Sequence, residues 1–304
     1  MDQVSNDTSS KLKNQVAQTF DEVVKAYMEK YKISQGVSCV MKGHELLAQS
    51  GYETDKDTLF RIASITKFFT RVGVMKLVEQ NKLSVNTPVF PLLGLEPLPG
   101  EELNPNLNKI TVQHLLDHQG GWDQQITGEI TFQRPVVAKA VGKSEAEVTP
   151  EDMVRYMLST PLQFEPGSKK SYSGFGYSVL GRVIEKTSRT SYEDFINTQL
   201  TEPLGLHSIQ LGHTAKEQTL PNETSYEKDS GTDSEEDPYM DLCLEMADSA
   251  GGLISNASDL CKFLNYYWGN GQPRKEEVGK YYFMNGRSVG TLALADQMKD
   301  GINF

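Results

Sequence analysis

The chain has 304 residues, of which 38% are hydrophobic and 23% charged, and a formal net charge of −11 at pH 7. That length and balance suit one large folded unit or two closely packed ones, and exclude an intrinsically disordered chain. The acidic excess argues against a nucleic-acid surface, which needs clustered Lys and Arg; the densest positive pairs are Lys169-Lys170 and Arg274-Lys275. The acidic stretch "DSGTDSEED" (229–237) reads as a solvated loop. Cys39, Cys243 and Cys261 form no C-x-x-C pair and read as small buried apolar residues. No apolar run reaches the ~20 residues that span a bilayer, so no transmembrane segment is expected. The polar start "MDQVSNDTSSKLKNQ" has no leader-like apolar core. The compartment is left open: cytoplasmic as the sequence stands, exported if a leader has been trimmed.

In chain order, "SSKLKNQVAQTFDEVVKAYMEKYK" (9–32) has apolar residues at helical spacing, with Ser9 or Ser10 as the expected cap. "GVSCVMKGHELLAQSGYE" predicts a β-hairpin turning near Gly43. A helical pattern follows "DTLFRIASITK" and stops near "QNKLSVNTP". "ITVQHLLDHQGG" predicts a short helix ended by Gly120-Gly121, and Thr149-Pro150 the cap and first residue of another. Two further helices are expected over "GYSVLGRVIEKTSRTSYEDFINTQLTEPLGL". Strand-like alternation returns in "KYYFMNG" and "VGTLALA". Helices bracketed by strands at both chain ends predict a mixed unit built from residues 1–60 and 240–304, with a mainly helical unit over 61–239 inserted between.

"RIASITKFFT" (61–70) places Ser64 and Lys67 three positions apart, on one face if the segment is helical. A serine hydroxyl attacks a carbonyl only when something accepts its proton, and a lysine in dry surroundings can do so in its neutral form. Phe60, Ile62, Ile65, Phe68 and Phe69 supply apolar surroundings. The plainer alternative is a helix cap beside a solvated lysine. "PGSKKSYSGFGYSVLGRVIEK" (166–186) then sets Tyr172 in a glycine-punctuated loop before a helix, where a phenol can relay protons.

With these two segments the chain resembles the serine β-lactamase-like superfamily: class C β-lactamases, D,D-peptidases and related esterases. Its signatures are S-x-x-K, Y-x-N and a late K-T-G or H-x-G. "LFRIASITK", "KLSVNTPV", "ITVQHLLDHQGGWD", "FEPGSKKSYSGFGYSVLGRVIEK", "SYEDFINTQLTEPLGL" and "SAGGLISNASDLCKFL" are similar to family segments, in family order. The resemblance implies a mixed α/β (α+β) fold, with an antiparallel sheet flanked by helices and an inserted all-helical domain. It implies Ser64 as acyl-forming nucleophile, Lys67 as its proton acceptor and Tyr172 as second proton-transfer group. The backbone N–H of Ser64 would be half of the oxyanion hole, and no metal or organic cofactor would be needed.

Two positions depart from the pattern. The second signature reads Tyr172-Ser173-Gly174, with glycine for asparagine; in the third, Gly286 and Gly290 fit but Met284 stands at the Lys or His position. Arg287, next to Gly286, is expected to offer a backbone oxyanion donor and a compensating charge. Family members ordinarily continue beyond "DGINF" through a strand and a terminal helix. Two functions follow as expectations: a serine hydrolase on small-molecule esters or amides with weak or no β-lactam turnover, or a catalytically degraded binding or assembly module. A third class, metal chemistry at "HLLDH" (114–118), competes with capping roles for His114 and His118. Substrate-shaping loops are expected over 123–148 and 213–248.

Overall fold

The computed structural model describes residues 2–228, 236–274 and 281–304, with side chains from Asn14 onward. Most of the acidic stretch, residues 229–235, therefore lies outside the described residues, as do Lys275 and Lys280. Helix α1 (Asp2–Tyr31) contains Ser9 and Ser10 instead of starting at them, because no Gly or Pro interrupts the polar residues upstream. It packs through one side only: Val16, Phe20, Val24 and Met28 are half-buried, while Val23, Tyr27 and Tyr31 are exposed. The hairpin β1 (Gly36–Lys42) and β2 (Glu45–Tyr52) turns at Gly43 and His44, with Gly43 at φ 54°, as its sequence predicts.

After β3 (Phe60–Arg61) come a 3₁₀ turn, Ala63–Ile65, and helix α2 (Thr66–Glu79). Helices α3 (Val89–Leu93), α4 (Val112–Leu116), α5 (Gln124–Thr127), α6 (Arg134–Val141) and α7 (Pro150–Met157) fill the next stretch. Thr149 caps α7 in a reciprocal box with Asp152, and Pro150 occupies its first turn. Helix α8 (Gly174–Ser188) is buried at every position from Gly174 to Ile184, the mark of a central helix. Its one interior charge, Arg182, pairs with buried Asp248 and with Glu185. Helix α9 (Tyr192–Ile196), β4 (Gln210–Leu211), α10 (Asp248–Gly251), β5 (Leu253–Ser255) and α11 (Ala257–Tyr266) precede β6 (Tyr282–Ser288), β7 (Thr291–Gln297) and β8 (Ile302–Asn303).

Two antiparallel sheets result. The larger has the order β2-β1-β8-β7-β6 and draws its strands from both ends of the chain; the smaller is β3-β5-β4. Helix α11 lies against β1, where Cys261 Sγ meets the Cys39 carbonyl at 3.3 Å. All three cysteines are free and buried. The main core gathers α2, α4, α7, α8 and α9, with Phe69 and Phe263 stacked at 4.2 Å. This is a mixed α/β fold with an antiparallel sheet and helices around it. Among the described residues no helix is long and apolar enough to cross a membrane.

Candidate active site

The approach to Ser64 is rigid. Arg61, on β3, is fully buried; its guanidinium lies 4.0 Å from the Tyr226 ring centroid and donates to the Pro238 carbonyl at 2.6 Å. The chain then turns sharply at Ala63, whose φ of 43° is a left-handed conformation that a residue with a Cβ adopts only under constraint. That turn leaves Ser64 half-buried on the 3₁₀ turn and Lys67 in the first turn of α2, with Ile62, Ile65, Phe68 and Phe69 buried around them. Lys67 Nζ donates to Ser64 Oγ at 3.2 Å and to the Ala250 carbonyl of α10 at 2.6 Å. The second bond points the ammonium group back toward the serine.

Tyr172 arrives from the other side. Its hydroxyl donates to Ser64 Oγ at 2.8 Å, and Lys67 Nζ sits 5.0 Å from its ring centroid. Ser173 follows as the cap of α8, its Oγ accepting from the Gly176 N–H at 3.2 Å. Behind the phenol lies His118, 4.6 Å from the Tyr172 ring and 5.0 Å from the Tyr177 ring. The Ser173 N–H donates to His118 Nδ1 at 3.3 Å, which puts the proton of the neutral imidazole on Nε2. Burial first, then the positive charges of Lys67, Arg71 and Lys170, hold His118 down from 6.5 to about 4. His118 is thus an uncharged wedge that fixes the tyrosine.

The third wall is β6. A Cβ at Gly286 would stand 2.2 Å from the Ile62 carbonyl oxygen and 2.9 Å from the Ser64 nitrogen, so only glycine lets the strand approach the nucleophile so closely. Strand alternation then assigns faces: Met284 shares Gly286's side, whereas Arg287 stands opposite Leu292 on the other side, with Phe283 and Asn285. The expectation that the Arg287 side chain restores a charge at the site is therefore corrected; what remains beside the nucleophile turn is its backbone. Gly174 adjoins an unexpected group. Its N–H donates to Glu129 Oε2 at 2.7 Å, and a Cβ there would meet that same oxygen at 2.7 Å. The Glu129 carboxylate fills the space that a side chain at 174 would take.

The "HLLDH" pair does not act as a unit. His114 completes a capping box with Thr111, whereas α4 ends at Leu116 and His118 lies beyond it, so the two imidazoles do not share a helical face. Among the described residues no three His, Cys, Asp or Glu side chains are grouped to hold a metal ion. Sequence reasoning missed His118 as the support of Tyr172, and missed Glu129 and the Ala250 carbonyl altogether. Only His118 carried a signal, as the second histidine of "HLLDH".

Comparison with known proteins agrees with this architecture. Protein flp of Staphylococcus aureus (strain MW2) is 26% identical over 220 residues, 69% of this chain and 40% of the relative. The N-acetylmuramyl-L-alanine amidase of Bacillus subtilis (strain 168) is 31% identical over 177 residues, 58% of this chain and 38% of the relative. The chain thus spans well under half the length of these two relatives. Among solved structures, a penicillin binding protein from Bacillus halodurans matches with a TM-score of 0.70 at 21% identity, covering 92% of this chain and 93% of that one. The octameric penicillin-binding protein homologue from Pyrococcus abyssi matches with 0.69 at 22%, covering 94% and 72%. At that identity the two structures speak to the fold alone. The beta-lactamase family model matches residues 20–300, and the chain belongs to this family of serine hydrolases.

Proposed function

We propose that the protein forms an acyl-enzyme on Ser64 and hydrolyses small esters or amides, with weak or no turnover of β-lactams. The observation that carries this reading is the convergence of two proton-carrying groups on one hydroxyl oxygen, Tyr172 at 2.8 Å and Lys67 at 3.2 Å. Attack by Ser64 Oγ on the carbonyl requires that one of the two be unprotonated at that moment. The serine proton passes to Lys67, directly or through the phenol, and Tyr172 delivers a proton to the departing oxygen or nitrogen. Water then cleaves the acyl-enzyme by the reverse transfers. The developing oxyanion would be held by the backbone N–H groups of Ser64 and Arg287, with Gly286 keeping β6 close enough for the second.

Met284 supports the ester preference. A thioether is a weak acceptor and no cation, so it cannot hold the carboxylate that penicillins and D,D-peptides carry. We further assign the site to the junction between the units 1–60 plus 240–304 and 61–239. That division is supported by a large sheet drawn from both chain ends, although the small sheet joins β3, β4 and β5 across it.

Intact-mass spectrometry after exposure to fluorophosphonate, p-nitrophenyl acetate and penicillins tests the reading, with Ser64→Ala as control. Labelling of Ser64 and ester turnover lost in Ser64→Ala are expected. An unlabelled serine, or a rate indifferent to the substitution, refutes the proposal. A stoichiometric burst with no steady state would instead identify a degraded site kept as a binding or assembly module.

A further inference from the structure

Strand register divides the large sheet into two faces. Met41, Asn303 and Gln297 share the face that meets α11, where they bond to Asn265 and to the Leu264 carbonyl. Leu292 and Leu294 of β7 and Phe283 of β6 therefore stand on the opposite face. Helix α1 lies on that opposite face but covers only part of it. Its Asp21 faces the Tyr52 hydroxyl of β2, its Met28 lies over Gly36 of β1, and its Phe20 ring meets that of Phe304, the residue after β8, at 5.7 Å. The β7–β6 half is left open, with Phe283, Leu292, Leu294 and Met298 exposed. At about 100° per residue, Val23 and Tyr27 project from α1 beyond Phe20, on the flank that borders this open half, and both are exposed too.

A helix flank and an uncovered half-sheet thus lie side by side. At 37–60% exposure, these six side chains leave on the order of 500 Å² of apolar surface, an extent that marks an interaction site. In a face about 60% apolar, that amount corresponds to roughly 800 Å² per partner, the size of a standard protein interface. Charge is withheld from the same region: the chain has 41 acidic residues, yet the one acid on β6 or β7, Asp296, is buried. We propose that this face is the two-fold interface of a homodimer, in which the Val23 and Tyr27 flank of each α1 rests on the β7–β6 half of the other copy's sheet. One two-fold axis matches both flanks with both half-sheets at once, so the surface complements itself. The same contact covers β6, the last strand of the sheet among the described residues. The proposal does not depend on the hydrolase reading.

Analytical ultracentrifugation of the full chain over a concentration series tests it. A species of twice the 33.9 kDa of one chain is expected at micromolar concentration. Leu294→Asp, within the patch, should raise the dissociation constant by about 30-fold or more, the scale of losing a buried anchor. Ile126→Asp, at an equally open apolar residue on α5, should leave it unchanged. Leu292→Lys repeats the perturbation with the opposite charge, and circular dichroism with thermal melting establishes that each variant is folded. Cross-linking reads the arrangement itself. Val23→Cys chains are mixed with Leu292→Cys chains and treated with a short bismaleimide, the three native cysteines being buried. A covalent pair of one chain of each kind is expected, and none when Ile126→Cys replaces Val23→Cys. A monomer at every concentration, a dimer that withstands both Leu294→Asp and Leu292→Lys, or the absence of that covalent pair overturns the proposal. A monomeric chain that binds an apolar dye on this face overturns it in favour of a different partner.

Discussion

Protonating His118 introduces a positive charge between two tyrosine rings and beside Lys67, Arg71 and Lys170. The folded protein resists this, which is why the group is depressed from 6.5 to about 4. In the unfolded chain the same imidazole takes up its proton near its ordinary value. The unfolded state therefore binds more protons between those two values, and stability falls as pH drops through that window. His118 contributes its full share above pH 6.5, loses about 2 kcal/mol by pH 5 and about 3 kcal/mol by pH 4. Several carboxylates are held low by partners, Asp259 and Glu245 among them, and they add acid sensitivity of their own. A difference measurement removes them. Urea unfolding of wild type and His118→Asn, which retains an acceptor for the Ser173 N–H, is compared at pH 7 and pH 5. The wild type should lose about 2 kcal/mol more than the variant. A stability difference that does not change with pH would refute the argument that the imidazole is uncharged and confined.

Other perturbations probe the site and its frame. Tyr172→Phe and Lys67→Met should each slow Ser64 acylation by about 10²–10⁴, measured as the rate of fluorophosphonate labelling, with little change in melting temperature. Gly286→Ala should both destabilise, by about 1–3 kcal/mol, and slow labelling, because its Cβ would press on the backbone of Ile62 and Ser64. Asn285→Ala on the exposed face of the same strand should do neither. Asp248→Ala leaves the buried Arg182 guanidinium with Glu185 alone and should cost about 3 kcal/mol in urea unfolding, whereas replacing both Asp248 and Arg182 by apolar residues should cost less.

What could be read in advance is what depends on near neighbours in the chain. Ser64 and Lys67 meet because one helical turn separates them; Thr149-Pro150 starts a helix and Gly43 turns a hairpin for equally local reasons. The ordered family segments extended that legibility to the fold, since a packed core constrains many positions at once. The N-terminal extent of α1 is not legible in the sequence, because polar residues permit a helix without announcing one. The meeting of Tyr172 with Ser64 across 108 positions, the wedge of His118, the carboxylate of Glu129 beside Gly174 and the side on which Arg287 stands all depend on distant contacts. Such contacts follow from how helices and strands pack and from strand register, where one step reverses every side chain. No short window of residues encodes them, so they emerge when the chain is assembled in three dimensions.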